Sequence, residues 1–177
     1  HPELSFLEYK TSAFIKSRLD EMGIPWQPMA NTGVVAVIQG EKSSGKTIAL
    51  RADMDALPIT EVNDIIYCSR NNGVMHACGH DAHTASLLGV AEILQSVKTK
   101  YGGTVKLIFQ PGEEILPGGA SLMIKEGVLQ NPTPDAVVGQ HVSPNIPVGK
   151  IGIRKGKFMA SMDEIFVTVR GKGGHGA

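Results

Sequence analysis

Two periods alternate along this chain, one of about 3.6 residues and one of two, and they lay out its elements in order. Leu7, Thr11, Phe14, Ile15, Leu19 and Met22 recur at helical spacing, Ser5-Phe6-Leu7-Glu8 reads as a capping box, and Gly23 closes the run. After Pro25 and Pro28, the β-branched run Val34 to Ile38 predicts a strand. Ile48, Leu50, Ala52 and Met54 then alternate with Arg51, Asp53 and Asp55, which predicts a second strand. The polar Gly, Lys and Ser residues between them predict a hairpin turn. A polar loop over 60–73 leads to a helix from about Ala82 to Lys98, marked by Thr84, Leu87, Leu88, Ala91, Leu94 and Val97 on one face. Thr104 to Gln110 predicts a strand, Ala120 to Gly127 a short helix and Asp135 to Gln140 another strand. Past a stretch spotted with Gly and Pro, a new alternating strand opens at Met162 and runs to Arg170. This order predicts an α/β sandwich with a mostly parallel sheet over 1–160 and the first strand of a further domain over 161–177.

One segment suggests a different chemistry. Gly40 to Thr47, "GEKSSGKT", fits the phosphate-loop pattern letter for letter. Such a loop works because a helix starts at its Lys-Ser/Thr end and offers N–H groups to phosphate. The residues after Thr47 alternate with strand period, so no helix follows and no nucleotide is expected there.

Composition narrows the remaining classes. Seventeen basic residues balance seventeen acidic ones in 177, so no net field gathers nucleic acid or an anionic membrane. No apolar stretch approaches the ~20 residues that cross a bilayer. The start, "HPELSFLEYK", lacks a signal-peptide layout, and two cysteines make no disulfide framework. A cytoplasmic protein is expected.

The reactive side chains are concentrated. "MHACGHDAH" places His76, Cys78, His80, Asp81 and His83 within eight residues. A thiolate and an imidazole two apart on a tight glycine turn can face one cation, which makes Cys78 and His80 candidate metal ligands. His76 and His83 read as capping or supporting residues. Glu113 and Glu114 follow a strand through Pro111-Gly112, at the carboxyl end where open α/β sheets place their ligands. Adjacent carboxylates point apart, so one can bind a cation while the other takes a proton from water. His141 stands at the end of another strand. Asp53 and Asp55 end a third, where they suit the orienting of ligand imidazoles. Cys68 reads as an ordinary thiol.

The segments "HPELSF.E", "ALRADMDALPI", "MHACGHDAHTA", "FQPGEE", "GQHV" and "GKGGHGA" together resemble the co-catalytic metallopeptidases and amidohydrolases that include aminoacylases, hippurate hydrolases and auxin-conjugate hydrolases. The resemblance covers essentially the whole chain. It implies a three-layer, zinc-peptidase-like sandwich with an inserted α+β lid and dimerisation domain, hence a homodimer. It also implies hydrolysis of the amide bond in N-acyl amino acids by a metal-activated water. Cys78, His80, Glu114 and His141 would be ligands of two divalent ions (zinc, manganese, cobalt or nickel), Glu113 the general base and His175 a lid residue that contacts substrate. Where other branches carry H-x-D, this chain has Asp53-Met54-Asp55, so the Cys-Gly-His triplet takes over ligand duty and the Cys78 thiolate could bridge both ions. The family's catalytic domain resumes after the lid and supplies a further histidine, and that part is absent here. Two alternatives share these motifs: a dipeptidase or small-molecule deacetylase with the same site, and a metal-binding module without turnover.

Overall fold

The computed structural model describes residues 1–159 and 165–175. The chain divides into two units, 1–142 and 143–177. In the first unit the elements are α1 (Tyr9–Glu21), β1 (Trp26–Met29), β2 (Gly33–Gln39), β3 (Lys42–Asp53), α2 (His80–Ser96), β4 (Gly102–Gln110), α3 (Gly119–Lys125) and β5 (Ala136–Gly139), with a short 3-10 turn at Lys98–Lys100. The strands form one mixed sheet in the order β1-β2-β4-β3-β5. β1 with β2 and β2 with β4 are antiparallel, whereas β3 with β4 and β3 with β5 are parallel.

Alternation along the strands feeds two cores. Val34, Ala36 and Ile38 of β2, Ala52 of β3 and Leu107 and Phe109 of β4 face Ile15 and Leu19 of α1 and Leu87, Leu88 and Ala91 of α2. The opposite face carries Val35, Ala49 and Ile108, covered by Met123 of α3 and Val128. Helices on both faces of one sheet make the expected three-layer α/β sandwich.

Several expectations need correction. Ser5 and Glu8 do not form a capping box: α1 starts at Tyr9, and Glu8 at its N-cap makes no side-chain cap. Both side chains are used elsewhere, Ser5 on Asp55 and Glu8 on Phe6, Thr32 and Gly112. Glu3 caps the helix instead, accepting the Lys10 and Thr11 N–H groups at 3.1 and 2.8 Å. β2 and β3 are not a hairpin either, because β4 lies between them and pairs with both. The turn is drawn toward the start of β4: the N–H groups of Gly40, Glu41 and Lys42 donate to the carbonyls of Gly103, Lys98 and Tyr101. Lys46 and Thr47 lie in β3, and the Thr47 N–H donates to Asp135 at 2.7 Å, so the phosphate-loop geometry is not built. The edge strand β1 escaped the sequence reading because Pro28 interrupts it, a residue tolerated only where no ladder bond is needed.

In the second unit the described residues form neither helix nor strand. The strand expected to open at Met162 falls partly on residues 160–164, outside those described, and 165–170 pair with nothing there. A strand needs a partner to fix its ladder, and that unit offers none among the described residues. No described helix is long and apolar enough to cross a membrane.

A buried cation anchors the approach to β5. Lys106 of β4 is 2 % exposed, and its Nζ donates to the carbonyls of Val128, Gln130 and Pro132 at 2.7–2.8 Å. Lys106→Met keeps the apolar stem but strands three carbonyls. It should lower the free energy of unfolding by roughly 2–4 kcal/mol, measurable by urea titration. A change below about 0.5 kcal/mol, the usual size for an exposed surface site, would show that these bonds do not hold the loop.

Candidate metal centre

The parallel strands β3, β4 and β5 end at the same edge of the sheet, so the segments that follow them meet there. β3 delivers Asp53 and Asp55, β4 delivers Glu113 and Glu114, and β5 delivers His141. The helix α2 begins at this edge with His80 as its first residue. Gly79 makes the junction possible. Its φ is +81°, and a Cβ there would come within 2.4 Å of the Val142 side chain, so only glycine lets the Cys78–His80 turn pack against 141–142.

His80 is the centre of the cluster. It is fully buried, with Nδ1 3.3 Å from Asp55 Oδ1 and Nε2 3.6 Å from Asp53 Oδ2, 3.8 Å from Glu114 Oε1 and 3.9 Å from Glu113 Oε2. Neither ring nitrogen is hydrogen-bonded, and the buried Glu114 Oε1 also lacks a partner. Cys78 Sγ lies 3.3 Å from His141 Nε2. Three sets of donor atoms share His80 among the described residues: Cys78, His80 and His141; His80, Glu113 and Glu114; and Asp53, His80 and His83, each set lying within 4.8 Å.

The protonation equilibria respond to this crowding of acids. Burial pushes the Cys78 thiol up to about 11, and the charges of Glu114, Glu113 and Asp53 push the same way. Burial and then Glu113 raise Glu114. Burial opposes ionisation of His80, but Asp55, Asp53 and Glu113 outweigh it and raise the imidazole. Asp55 goes the other way. Burial works against its charge, yet His80, Ser5 and the N–H groups of Glu114 and Glu113 hold it far below the usual carboxylate range. The cluster thus carries surplus negative charge around donors that lack partners. Orphaned buried nitrogen and oxygen atoms, with thiol, imidazole and carboxylate donors converging, fit a divalent cation. Cys78, His80, His141, Glu113 and Glu114 are among the residues whose donor atoms lie close enough to hold one.

A second tier of contacts orients these groups. Gln110 Oε1 accepts from Arg51 Nε at 2.8 Å, and Arg51 Nη1 pairs with Asp53 Oδ2 at 2.7 Å. Asp53 Oδ1 bonds His83 Nδ1 at 2.6 Å, and His83 Nε2 accepts the Val142 N–H at 2.9 Å. The Val142 donor fixes the tautomer: Nε2 is the bare nitrogen, and Nδ1 carries the proton given to Asp53. Both nitrogens of His83 are therefore used, consistent with the supporting role read for it in the sequence. Asp53 and Asp55 are buried supports in the same way. Of the six expected site residues, Cys78, His80, Glu113, Glu114 and His141 come together. His175 belongs to the second unit. His76 lies at the margin, its buried Nδ1 without a hydrogen-bond partner, and burial lowers its pKa. Arg51, Ser5 and Glu8 were missed as site supports. The signal for Arg51 was present, since it interrupts the apolar run Ile48 to Ala52 two residues before Asp53.

An α/β sandwich with a cluster of metal-ligand side chains at the carboxyl edge of its parallel strands defines the class. Residues 49–173 match Peptidase family M20/M25/M40, and the chain belongs to that family. It is 49 % identical to the N-acetyl-L-cysteine deacetylase of Bacillus subtilis (strain 168), with 100 % of this chain and 42 % of that protein aligned. It is 46 % identical to the N-acyl-L-amino acid amidohydrolase of Geobacillus stearothermophilus, over 100 % of this chain and 47 % of that protein. Among solved structures it is similar to Bacillus subtilis YXEP, described as a dinuclear metal-binding peptidase of the M20 family. There the TM-score is 0.82 at 45 % identity, covering 88 % of this chain and 43 % of that one. The chain thus spans less than half the length of these relatives.

The relay makes a direct prediction. His83→Ala leaves Asp53 Oδ1 and the Val142 N–H without their partner, and should lower the free energy of unfolding by about 2–4 kcal/mol. In the full-length protein it should also weaken cation binding roughly tenfold to a hundredfold, because the groups behind the ligands lose their orientation. Denaturant titration and calorimetric manganese titration read the two effects. Wild-type values in both would show that the relay orients nothing.

Proposed function

We propose that this chain carries the metal centre of an enzyme that hydrolyses the amide bond of N-acyl amino acids, with two divalent cations as cofactors. The observation that carries the reading is His80, a fully buried imidazole with two unpartnered nitrogens, ringed by Asp53, Asp55, Glu113 and Glu114. The names of the amidohydrolase and deacetylase relatives point to the same substrate class. Cys78, His80, Glu114 and His141 act as ligands. Bound cations supply Lewis acidity, which polarises the amide carbonyl and acidifies water.

The two glutamates divide the remaining work by exposure. The Glu113 side chain is 41 % exposed and that of Glu114 20 %, so Glu113 can meet solvent and substrate while Glu114 stays in the cluster. Glu113 takes a proton as the water oxygen bonds to the carbonyl carbon. It returns that proton to the amide nitrogen as the C–N bond breaks, giving the acid and the amine. The acid's remaining proton passes to the amine to leave a carboxylate and an ammonium. His175, flanked by glycines, contacts substrate from a lid domain through which two subunits pair. The working place of the enzyme is the cytoplasm. Acetyl, benzoyl and indole-acetyl amino acids are the candidate substrates, and deacetylation is the same reaction with the smallest of these three acyl groups.

Glu113→Gln in the full-length enzyme should lower kcat by about 10²- to 10⁴-fold while cations stay bound, whereas Glu114→Gln should also lower cation occupancy. Elemental analysis and a panel of N-acyl amino acids read both. A cation-depleted Glu113 variant beside a fully loaded Glu114 variant would reverse the assignment. A cation-loaded wild-type enzyme that leaves the whole panel intact would end the amidohydrolase reading.

A further inference from the structure

Glu8 stands outside every group described above as ligand or base, yet it is 0 % exposed. Its Oε1 accepts the Phe6 N–H at 2.9 Å and the Gly112 N–H at 2.8 Å, and its Oε2 accepts the Thr32 hydroxyl at 2.5 Å. No ion pair forms at Glu8 among the described residues. A carboxylate buried on donors alone is retained only where those donors keep it satisfied. One of the donors belongs to the turn that leads into Glu113 and Glu114.

The surrounding segment grips the same turn. Phe6 has a φ of +62°, an uncommon conformation for an aromatic residue, and Glu8 holds its N–H. Its ring fills the space where a Cβ on Gly112 would sit, 2.4–2.7 Å away, and Gly112 has a φ of +51°. Ser5 donates to Asp55 Oδ2 at 2.6 Å, and that oxygen also accepts the Glu114 N–H at 3.0 Å. Residues 5–8 therefore hold the turn at both ends, Gly112 through Glu8 directly and Glu114 through Ser5 and Asp55. Glu113 projects between the two anchors.

We infer that Glu8 is a positioning residue: its carboxylate fixes the Gly112–Glu114 turn and thereby the aim of Glu113 and Glu114 at the site. The inference rests on the amidohydrolase reading for its kinetic consequence alone, because the turn's order can be measured without turnover. The chemistry also distinguishes variants. In Glu8→Gln the amide oxygen can still accept from Phe6 and Gly112 while the NH₂ donates to the Thr32 hydroxyl, so most of the clamp survives. Glu8→Ala removes it. Glu8→Asp is too short to reach Thr32 and Gly112 together.

The test uses the full-length protein with Glu8→Ala, Glu8→Gln and Ile15→Val, the last a buried α1 residue that lowers stability without touching the clamp. Amide hydrogen exchange over 111–115 should speed up about tenfold or more in Glu8→Ala and stay near wild type in the other two. On the panel substrate that wild type cleaves best, Glu8→Ala should lose kcat about tenfold to a hundredfold with KM within about threefold. Glu8→Gln should recover most of it. If Glu8→Ala does not fold, Glu8→Asp carries the same expectations. Unchanged exchange at 111–115 in the folded Ala or Asp variant would overturn the inference, as would Ile15→Val losing kcat to the same extent. If wild type cleaves no panel substrate, the amidohydrolase reading falls, and exchange at 111–115 still decides the role of Glu8.

Discussion

The parallel pairing of β3, β4 and β5 is the constraint from which the site follows. Because these strands run the same way, their carboxyl ends share one edge, and each hands the chain to a polar segment there. β4 makes this possible through burial on both faces, with Leu107 and Phe109 toward α1 and α2 and Ile108 toward α3. A strand so buried must have both edges paired, which is why it separates β2 from β3. The parallel register sets Asp53 opposite Gln110, three residues before Glu113.

Gathering Asp53, Asp55, Glu113 and Glu114 around one buried imidazole is unfavourable in itself, since like charges in a poorly solvated place repel. The fold offsets this with directed donors. Asp53 takes Arg51 and His83, and Asp55 takes Ser5 and the Glu114 N–H. What is left without a hydrogen-bond partner around His80 is informative: both of its nitrogens, Glu114 Oε1 and Asp55 Oδ1. Bare atoms on one buried imidazole and on the carboxylates beside it are expected where a cation completes the arrangement.

How legible was this in the sequence? The helices, most strand ends and the side chains that cluster about His80 were readable, because hydrophobic period and the density of His, Cys and Glu are local signals. Strand order was not. Pairing of β4 between β2 and β3 depends on which strand can be buried on both faces, a property of the whole sheet. The capping box failed for a related reason: Ser5 and Glu8 have the right spacing for a cap, but Asp55 and Gly112, distant in sequence, compete for the same oxygens. Local propensity yielded to tertiary demand. The phosphate-loop match misled in letters and was answered by period, since strand alternation after Thr47 leaves no helix terminus for an anion.

On the proposed assignment, the adjacent glutamates take two roles without different side chains. Glu113 and Glu114 carry identical carboxylates one residue apart, and both lie within 4 Å of His80 Nε2. Their difference comes from the backbone. The Glu114 N–H is fixed to Asp55, and its side chain is the more buried of the two. Burial and the neighbouring Glu113 charge then raise its pKa, a cost that coordination of a cation reverses. Glu113, the more exposed of the two, keeps its carboxylate toward solvent. On the proposed assignment, ligand and proton acceptor are set apart by where the turn is anchored, at Gly112 and at Glu114, and both anchors lead back to residues 5–8 of the chain.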